Sequence, residues 1–359
     1  MFLIAFFSLI TLVVIHEFGH FIVAKKFGVK VEEFGVFFPP RLFGKKFGET
    51  LYSFNLLPFG AFVKIYGEEG GGLEDARSFS TKPVWQRALI ILAGVISFWI
   101  VAVILLSVVM GLGAPTAISD EDNGKLQNPK VQISVLSPGS PAEVAGLRIG
   151  DTIRELIIND QKFTVSKVKD VQAFTQLYKG KEVTLNIERG KKILEVSLIV
   201  RSEPPEGEGP MGVALVRTAI KSYPWYLTPI EGIKATGSLT FTIIQSLGQI
   251  LKNIFIGKGV PSGVEFMGPI GIVSLVAQVS QLGIVYFLQF IALLAIYLAI
   301  FNILPLPALD GGKLVFLGIE AVRKKPVSRK VEQNITAVFF ALLILSMILV
   351  TIKDIKSFF

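Results

Sequence analysis

The residues of this sequence that could do chemistry lie near its start, in the stretch LVVIHEFGHFIVAKK (residues 12–26). His16 and His20 are four residues apart, so on a helix both imidazoles lie on one face and can bind one metal ion. Glu17 lies beside them and could act on a metal-bound water, as in the H-E-x-x-H pattern. These are the chain's only two histidines and the run around them is apolar, which favours a zinc site over two histidines satisfied inside a bundle.

A hydrolytic zinc site needs a third protein ligand and an open position for water. The chain has no cysteine and no further histidine, so the third ligand must be a carboxylate. Asp310 is the first charged residue after the apolar stretch that ends FNILPLPALDGGK (residues 301–313), and we predict that it is this ligand. Gly311 and Gly312 are expected to break the helix and let the backbone approach the site. The alternative is that Asp310 only forms an Asp-Gly turn.

Composition places this chemistry in a membrane. Of the 359 residues, 51% are hydrophobic and 18% are charged, which is typical of an integral membrane protein. The absence of cysteine excludes disulfides and thiolate metal sites. The net charge of +8 fits basic cytoplasmic loops, and no motif supports binding of nucleic acid. No basic region precedes the first apolar run and no cleavage site follows it, so we expect a retained span and not a signal peptide.

Four segments are long enough to cross a hydrocarbon core, which needs about 20 apolar residues. Lysine and arginine cluster after the first segment, before the second, and between the third and the fourth. By the positive-inside rule these loops are cytoplasmic, and both termini and the long segment between spans two and three lie outside. The metal site is then near the cytoplasmic side. The predicted spans are 2–24, 88–112, 282–309 and 335–352.

The outer segment 113–224 carries the pattern of a folded domain. VQISVLSPGSPAEVAGLRIGDTIRELI (131–157) predicts a strand, a turn, a short helix and a second strand, and VTLNIERGKKILEVSLIV (183–200) is typical of a hairpin. This order resembles a permuted bacterial PDZ domain with a core at about 130–217, in which GPMGVALV (209–216) is the carboxylate-binding loop and the following strand. Such domains bind peptide termini by strand addition. The alternative is a β-rich domain that only packs or acts as a spacer.

The segment 225–281 is ambiguous. Its part 235–256 is amphipathic and contains glycines and several Ser, Thr and Gln residues, so it could be a fifth span or an interfacial helix. A fifth span would place Asp310 on the membrane face opposite to His20, where the two could not share a metal ion. We therefore expect 225–281 to lie at the interface or against the bundle.

These features together resemble the site-2 protease family of intramembrane zinc metalloproteases. The resemblance rests on HEFGH (16–20) in the first predicted span, the PDZ-like segment and NILPLPALDG (302–311) in the third, and it covers nearly the whole chain. The closest branch looks like the bacterial regulator-of-sigma-E protease, with one PDZ domain. The resemblance implies a polytopic α-helical membrane protein with four transmembrane helices, a membrane-associated β-element and an inserted extracytoplasmic PDZ domain. Its predicted parts are 1–112, 113–224, 225–281 and 282–359.

The resemblance also implies the reaction. His16, His20 and Asp310 would bind one Zn²⁺ per chain, and Glu17 would be the general base. The protein would cleave transmembrane segments of single-span membrane proteins in the bacterial inner membrane, with an anti-sigma factor or remnant signal peptides as candidate substrates. The outer PDZ domain would act as a size filter that binds peptide termini or outer segments of the substrate.

The resemblance implies substrate binding at two further places. Asn302, Pro305 and Pro307 would shape the substrate site on a broken third helix, although prolines can simply kink a span while an asparagine satisfies freed backbone groups. The strands in 49–66 would form a membrane-dipping β-element that pairs with an unwound substrate segment.

Two departures from the family pattern and two other functional classes bear on this hypothesis. Phe98 stands where the motif Ala-Gly-Pro-x-x-Asn-Phe has its asparagine, and residues 37–39 replace an early Gly-Phe-Gly; neither is expected to touch the metal ligands.

A non-catalytic membrane PDZ scaffold with a structural zinc site would need a fourth protein ligand, which the sequence does not offer. A transporter would need ionisable residues across several spans, but the second and third predicted spans contain none.

Overall fold

The computed structural model describes residues 2–122, 127–190, 192–205, 207–259 and 267–356. Residue 191 of the predicted hairpin turn, residue 206 of the predicted PDZ core and residues 260–266 of the predicted segment 225–281 lie outside the described residues. The helices are α1 (Phe2–Lys26), α2 (Val84–Leu112), α3 (Pro141–Val144), α4 (Val168–Leu177), α5 (Thr228–Phe255), α6 (Pro269–Gln281), α7 (Ile284–Ile303), α8 (Asp310–Arg323) and α9 (Arg329–Lys356).

Four of these helices, α1, α2, α7 and α9, are long and apolar enough to cross a membrane, judged by length and composition. The four predicted segments therefore correspond to four helices that could cross a membrane. The chain fits a polytopic membrane protein in which α2 is central and packs against α1, α5 and α7. Alanines in the bundle core allow this close packing, which is how helices associate in lipid. The fully buried alanines are Ala102, Ala292, Ala295 and Ala299.

The third span ends earlier than predicted, and its end has a different cause. Helix α7 stops at Ile303, and Leu304 is already extended, with ψ of 144°. Because Leu304 precedes Pro305, the α conformation is disfavoured there, and neither Pro305 nor Pro307 can donate a helical hydrogen bond. The expectation that Gly311 and Gly312 break the helix is wrong, since both lie in the first turn of α8.

Helix α5 lies against the bundle, antiparallel to α2. Gly232 packs on Ser107 near the end of α2, and Trp99 donates a hydrogen bond of 3.2 Å from Nε1 to Oγ1 of Thr240 farther along. Helix α5 is not among the four candidate spans. Of the two expected places for this segment, the structure therefore puts α5 against the bundle, and its depth in the membrane stays a prediction.

A long β-ribbon follows α1. It folds back on itself, so that residues 33–36 pair antiparallel with residues 61–64 and in parallel register with residues 51–54. It consists of β1 (Val31–Phe47) and β2 (Thr50–Ile65), whereas the sequence predicted only strands in 49–66. The base of the ribbon packs on α1, and residues 38–47 are exposed on both faces. β1 escaped prediction because two prolines interrupt it and its register is irregular, so it lacks a period of two.

The segment after α2 folds into an antiparallel sheet with the strand order β3-β9-β4-β5-β7-β8, in which β6 pairs with β5. The predicted strands, short helix and hairpin are present, and the Ser140 hydroxyl caps the N-terminus of α3. Whether this domain belongs to the PDZ family stays a prediction. The strands are β3 (Ala114–Ala117), β4 (Gln127–Leu136), β5 (Thr152–Ile158), β6 (Gln161–Thr164), β7 (Glu182–Arg189), β8 (Lys192–Ile199) and β9 (Val213–Lys221).

Candidate metal centre

The structure brings His16, His20 and Asp310 together inside the bundle. His16 and His20 lie one turn apart on α1, and Asp310 is the first residue of α8. All three are buried, with 7%, 7% and 8% of their surfaces exposed. Within the part of the chain that the structure describes, this is the one cluster of three or more side chains of a type and spacing that could share a metal ion.

Three atoms of this cluster form a triangle of equal sides. Nε2 of His16 lies 3.3 Å from Nε2 of His20, and each nitrogen lies 3.3 Å from Oδ2 of Asp310. A tetrahedral ion bound at about 2.0–2.1 Å needs ligand atoms about 3.3–3.4 Å apart. Oδ2 of Asp310 is also buried without a hydrogen bond of acceptable geometry among the described residues. The residues present therefore fit a zinc ion.

The ring orientation of His20 is set by the backbone of α2. Nδ1 of His20 lies 2.8 Å from the carbonyl oxygen of Ile90, to which it can donate a hydrogen bond. That bond requires the proton on Nδ1 and leaves Nε2 with a free lone pair, which is the usual support of a metal-binding imidazole. The structure thus supplies both the ligand atom and the group that orients it.

Glu17 follows His16 and faces the ribbon. Its Oε2 accepts a hydrogen bond of 3.1 Å from the backbone N–H of Val63 in β2. Residues 61–64 of β2 pair with β1 on one side only, and this N–H bonds Glu17, so the carboxylate lies at the free edge of this part of β2. The hydrogen bond from Val63 thus orients the carboxylate of Glu17, the residue directly after His16.

The cluster lies towards one end of the bundle. The rings of Phe27 and Trp85, 5.5 Å apart, show that the end of α1 meets the start of α2 there. Lys313, one turn after Asp310, pairs at 2.6 Å with Glu68 in the loop after β2. The sheet follows the other end of α2, and its Gly150 lies beside Leu282 before the start of α7.

Comparisons with known proteins show the family of this chain. The family model described as Peptidase family M50 matches residues 4–346. This chain belongs to peptidase family M50. It is similar to a Clostridium perfringens protein provisionally named a zinc metalloprotease, with 34% identity over 96% of this chain and 95% of that protein. It is also 29% identical to the regulator of sigma-W protease RasP of Bacillus subtilis and 28% to the zinc metalloprotease RasP of Geobacillus kaustophilus, in both cases over 97% of this chain and 96% of the relative.

Membership of this family settles the general chemistry. The chain is a zinc metalloprotease, and its cofactor is Zn²⁺. The four candidate spans and the bacterial relatives fit a bacterial membrane protein. Among the residues that the structure describes, the buried cluster of two imidazoles and one carboxylate has donor atoms that suit this ion.

Besides Ile90, two further residues of α2 in this M50 protease contact the histidines, and the sequence analysis predicted neither contact. A Cβ added to Gly94 would overlap the ring of His20 and lie 2.8 Å from Cε1 of His16. The ring of Phe98 stacks on that of His16, with ring centres 4.7 Å apart and planes inclined by 15°. The expectation that Phe98 does not touch the ligands is therefore wrong. Its position in the Ala-Gly motif was noticed, but only the packing of α2 on α1 reveals the contact.

The predicted substrate residues lie next to the centre in sequence but have other partners. The Asn302 side chain donates from Nδ2 to the carbonyl oxygen of Leu298, 2.9 Å away in its own helix. Pro305 and Pro307 lie in the non-helical segment before Asp310. This bond runs from a side chain to the carbonyl four residues earlier in the same helix, and the role of Asn302 in binding substrate stays a prediction.

Proposed function

We propose that this M50 protease is an intramembrane endopeptidase that cleaves transmembrane segments of single-span membrane proteins. The observation that carries the proposal is a buried, zinc-sized triangle of ligand atoms, two of which lie on the candidate span α1 and the third at the start of α8, directly after the segment that follows the candidate span α7. Buried ionisable groups inside such helices are costly and are retained where they act. A peptide bond that reaches this centre must itself lie within the membrane.

In this proposal His16, His20 and Asp310 hold the zinc ion, one per chain. Three protein ligands leave a fourth position open, as in catalytic zinc sites and unlike closed structural ones. When bound, the ion polarises a peptide carbonyl and makes water nucleophilic near neutral pH. A scaffold with a structural zinc would need a fourth ligand, and the described residues offer a cluster of three.

Glu17 is proposed as the general base and then the general acid. Its carboxylate takes a proton from the attacking water as a bond forms from the water oxygen to the peptide carbon. It returns that proton to the amine nitrogen as the C–N bond breaks, which leaves a carboxylate and an amine. The Val63 N–H bond to Oε2 orients the carboxylate, and the other oxygen is left to handle the proton.

The free edge of β2 is proposed to bind the substrate. An unwound helical segment exposes backbone groups that lipid cannot satisfy, and strand addition would satisfy them. A strand added to this edge near Val63 would lie beside Glu17, which supports the prediction for the element 49–66. Asn302, Pro305 and Pro307 would border the same space from the segment before Asp310.

The sheet domain is proposed to be an extracytoplasmic PDZ domain that limits access. A cavity of about 420 Å³ lies between α4 and the loop before β9, where a peptide end could bind. Ala173 lines its α4 side, and Gly209 and Pro210 line the loop side. The clustering of basic loops at the metal-site end of the bundle supports a cytoplasmic position for that end and places the sheet outside.

The access function is tested by filling this cavity. Ala173→Trp should reduce the preference for a substrate trimmed on its outer side over the full-length one, while zinc content stays that of the wild type. An unchanged preference would show that the cavity does not take part in access.

The central test compares the wild type with Glu17→Gln. Each is co-expressed with a tagged single-span membrane protein trimmed on its outer side, and the cytoplasmic fragment is followed by immunoblot. We expect the fragment with the wild type and with the control Glu182→Gln, an exposed glutamate of the sheet domain, but not with Glu17→Gln. Purified Glu17→Gln should still contain zinc. Fragment formation by Glu17→Gln at the wild-type rate would rule out the proposed role of Glu17.

A further inference from the structure

Helix α2 presents one stripe of residues to the two histidines. Ile90, Gly94 and Phe98 are spaced by four, so they lie on one face of the helix. Each makes a different contact: the Ile90 carbonyl oxygen with Nδ1 of His20, the Gly94 backbone with both rings, and the Phe98 ring with His16. These three residues therefore form the surface of α2 against which both imidazoles pack.

The two histidines make different interactions with this surface of α2. His20 has a directional hydrogen bond at Nδ1. Nδ1 of His16 is buried and has no hydrogen-bond partner among the described residues. What His16 has instead is the nearly parallel face of Phe98, a side chain that is only 1% exposed.

We propose that Phe98 is a positioning residue of the metal centre, which fixes the ring plane of His16 by stacking in place of a hydrogen bond. The inference rests on the proposed ligand set. Rotation about χ2 of His16 would tilt its ring out of the parallel arrangement and into the Phe98 face. The stack therefore restricts a torsion that moves Nε2 out of the triangle with His20 and Asp310.

Neighbouring contacts restrict the remaining motion of the His16 ring. The edge of His20 packs against His16, with ring centres 4.7 Å apart and planes inclined by 83°. Gly94 leaves no room on the side of Cε1, because a Cβ there would lie 2.8 Å from that atom. Gly19 also lies against Ala93, since an added Cβ would meet its carbonyl oxygen at 2.5 Å. Helices α1 and α2 thus approach closely where the stack forms.

Phe98 also belongs to the hydrophobic core of the bundle, so a loss of zinc alone would not separate positioning from packing. Phe290 on α7 packs against the same core and provides a matched control. Phe98→Leu and Phe290→Leu remove the same ring atoms from one core, but only the first removes the stack on His16.

The test uses the full-length protein in detergent and measures zinc affinity by competition with a chromophoric chelator. Loss of groups that orient metal ligands weakens metal binding by about 10–100-fold. We expect Phe98→Leu to weaken zinc binding about tenfold and Phe290→Leu to change it by less than about twofold. In the Co²⁺-substituted protein, the visible absorption bands should shift in Phe98→Leu and stay unchanged in Phe290→Leu, because those bands report ligand geometry.

Three outcomes would overturn the proposal. Zinc affinity and Co²⁺ spectrum could stay unchanged in Phe98→Leu, or both variants could lose zinc to the same extent, which would indicate general loosening of the core. Failure of Phe98→Tyr, which keeps a stacked ring, to retain more zinc than Phe98→Leu would also contradict positioning. Failure of the ligand set itself is distinguished by His16→Ala: if that variant binds zinc as the wild type does, the ligand assignment is wrong.

Discussion

Two buried aspartates, one in the sheet domain and one in the helix bundle, show how differently the two regions treat a carboxylate. Asp151 is 1% exposed, and Arg189 binds its two oxygens from Nε and Nη2, each at 2.7 Å, while the N–H of Arg148 adds a bond of 2.8 Å. Asp310 is 8% exposed, and its Oδ2 has no hydrogen bond of acceptable geometry among the described residues. A buried carboxylate that is fully paired serves the fold, whereas one facing two imidazole nitrogens at 3.3 Å is arranged for a cation.

The largest effect is expected at Asp310, the aspartate that faces the two histidines. Asp310→Asn replaces an anionic ligand by a neutral amide, so zinc affinity should fall by more than about 100-fold. The thermal midpoint of the metal-free protein should stay the same or rise, because a buried charge is removed. Metal analysis after dialysis against a chelator gives the first value and thermal unfolding the second. Zinc retention at the wild-type level would exclude Asp310 from the ligand set.

The paired aspartate should give the opposite result. Asp151→Asn leaves Arg189 without its carboxylate and should destabilise the sheet domain by about 2–3 kcal/mol. This is below the roughly 3–5 kcal/mol of a fully buried pair, because Arg189 is partly exposed. Zinc affinity should not change. Limited proteolysis of the sheet domain in a denaturant series measures the first effect. Loss of zinc from Asp151→Asn would show that the sheet domain and the metal centre are coupled, and would contradict the assignment of Asp151 to the fold alone.

Close backbone contact at the metal centre can be tested with one added methyl group. Gly94→Ala places a Cβ where the His20 ring lies, so zinc affinity should fall by about 10–100-fold. Gly318→Ala is the control, because a Cβ there meets nothing within 4 Å and only improves helix propensity. Equal zinc affinity of the two variants in a chelator competition would show that the rings move aside without cost.

The smallest effect is expected at a half-buried glutamate of the sheet domain. Burial alone would raise the pKa of Glu188, but hydrogen bonds from Lys130 and Arg154 hold that pKa below its ordinary value of 4.5. Its contribution to stability is present above pH 4.5 and is lost as the pH falls through the folded value. Glu188→Gln should remove that part of the acid dependence, worth on the order of 1 kcal/mol or less. Acid unfolding curves that coincide for wild type and variant would contradict this.

Much of the bundle and the donor types of its site could be predicted from the sequence. Hydropathy marks spans well because each must satisfy its backbone inside lipid, and the four predicted spans correspond to α1, α2, α7 and α9. Where local signals competed, prediction failed. Pro305 ended the third span before Gly311 and Gly312 could, and the irregular β1 showed no strand period.

The sequence by itself determined which atoms could bind zinc. Two histidines four apart on a helix lie on one face whatever surrounds them, and a chain without cysteine leaves only a carboxylate to join them. Only the tertiary structure decided how those atoms are held. The Ile90 carbonyl, the Gly94 backbone and the Phe98 ring reach the histidines across a helix interface, and no pattern within α2 specifies which face of α1 it meets. Helix packing depends on the fit of distant surfaces, whereas ligand spacing depends on the local geometry of one helix.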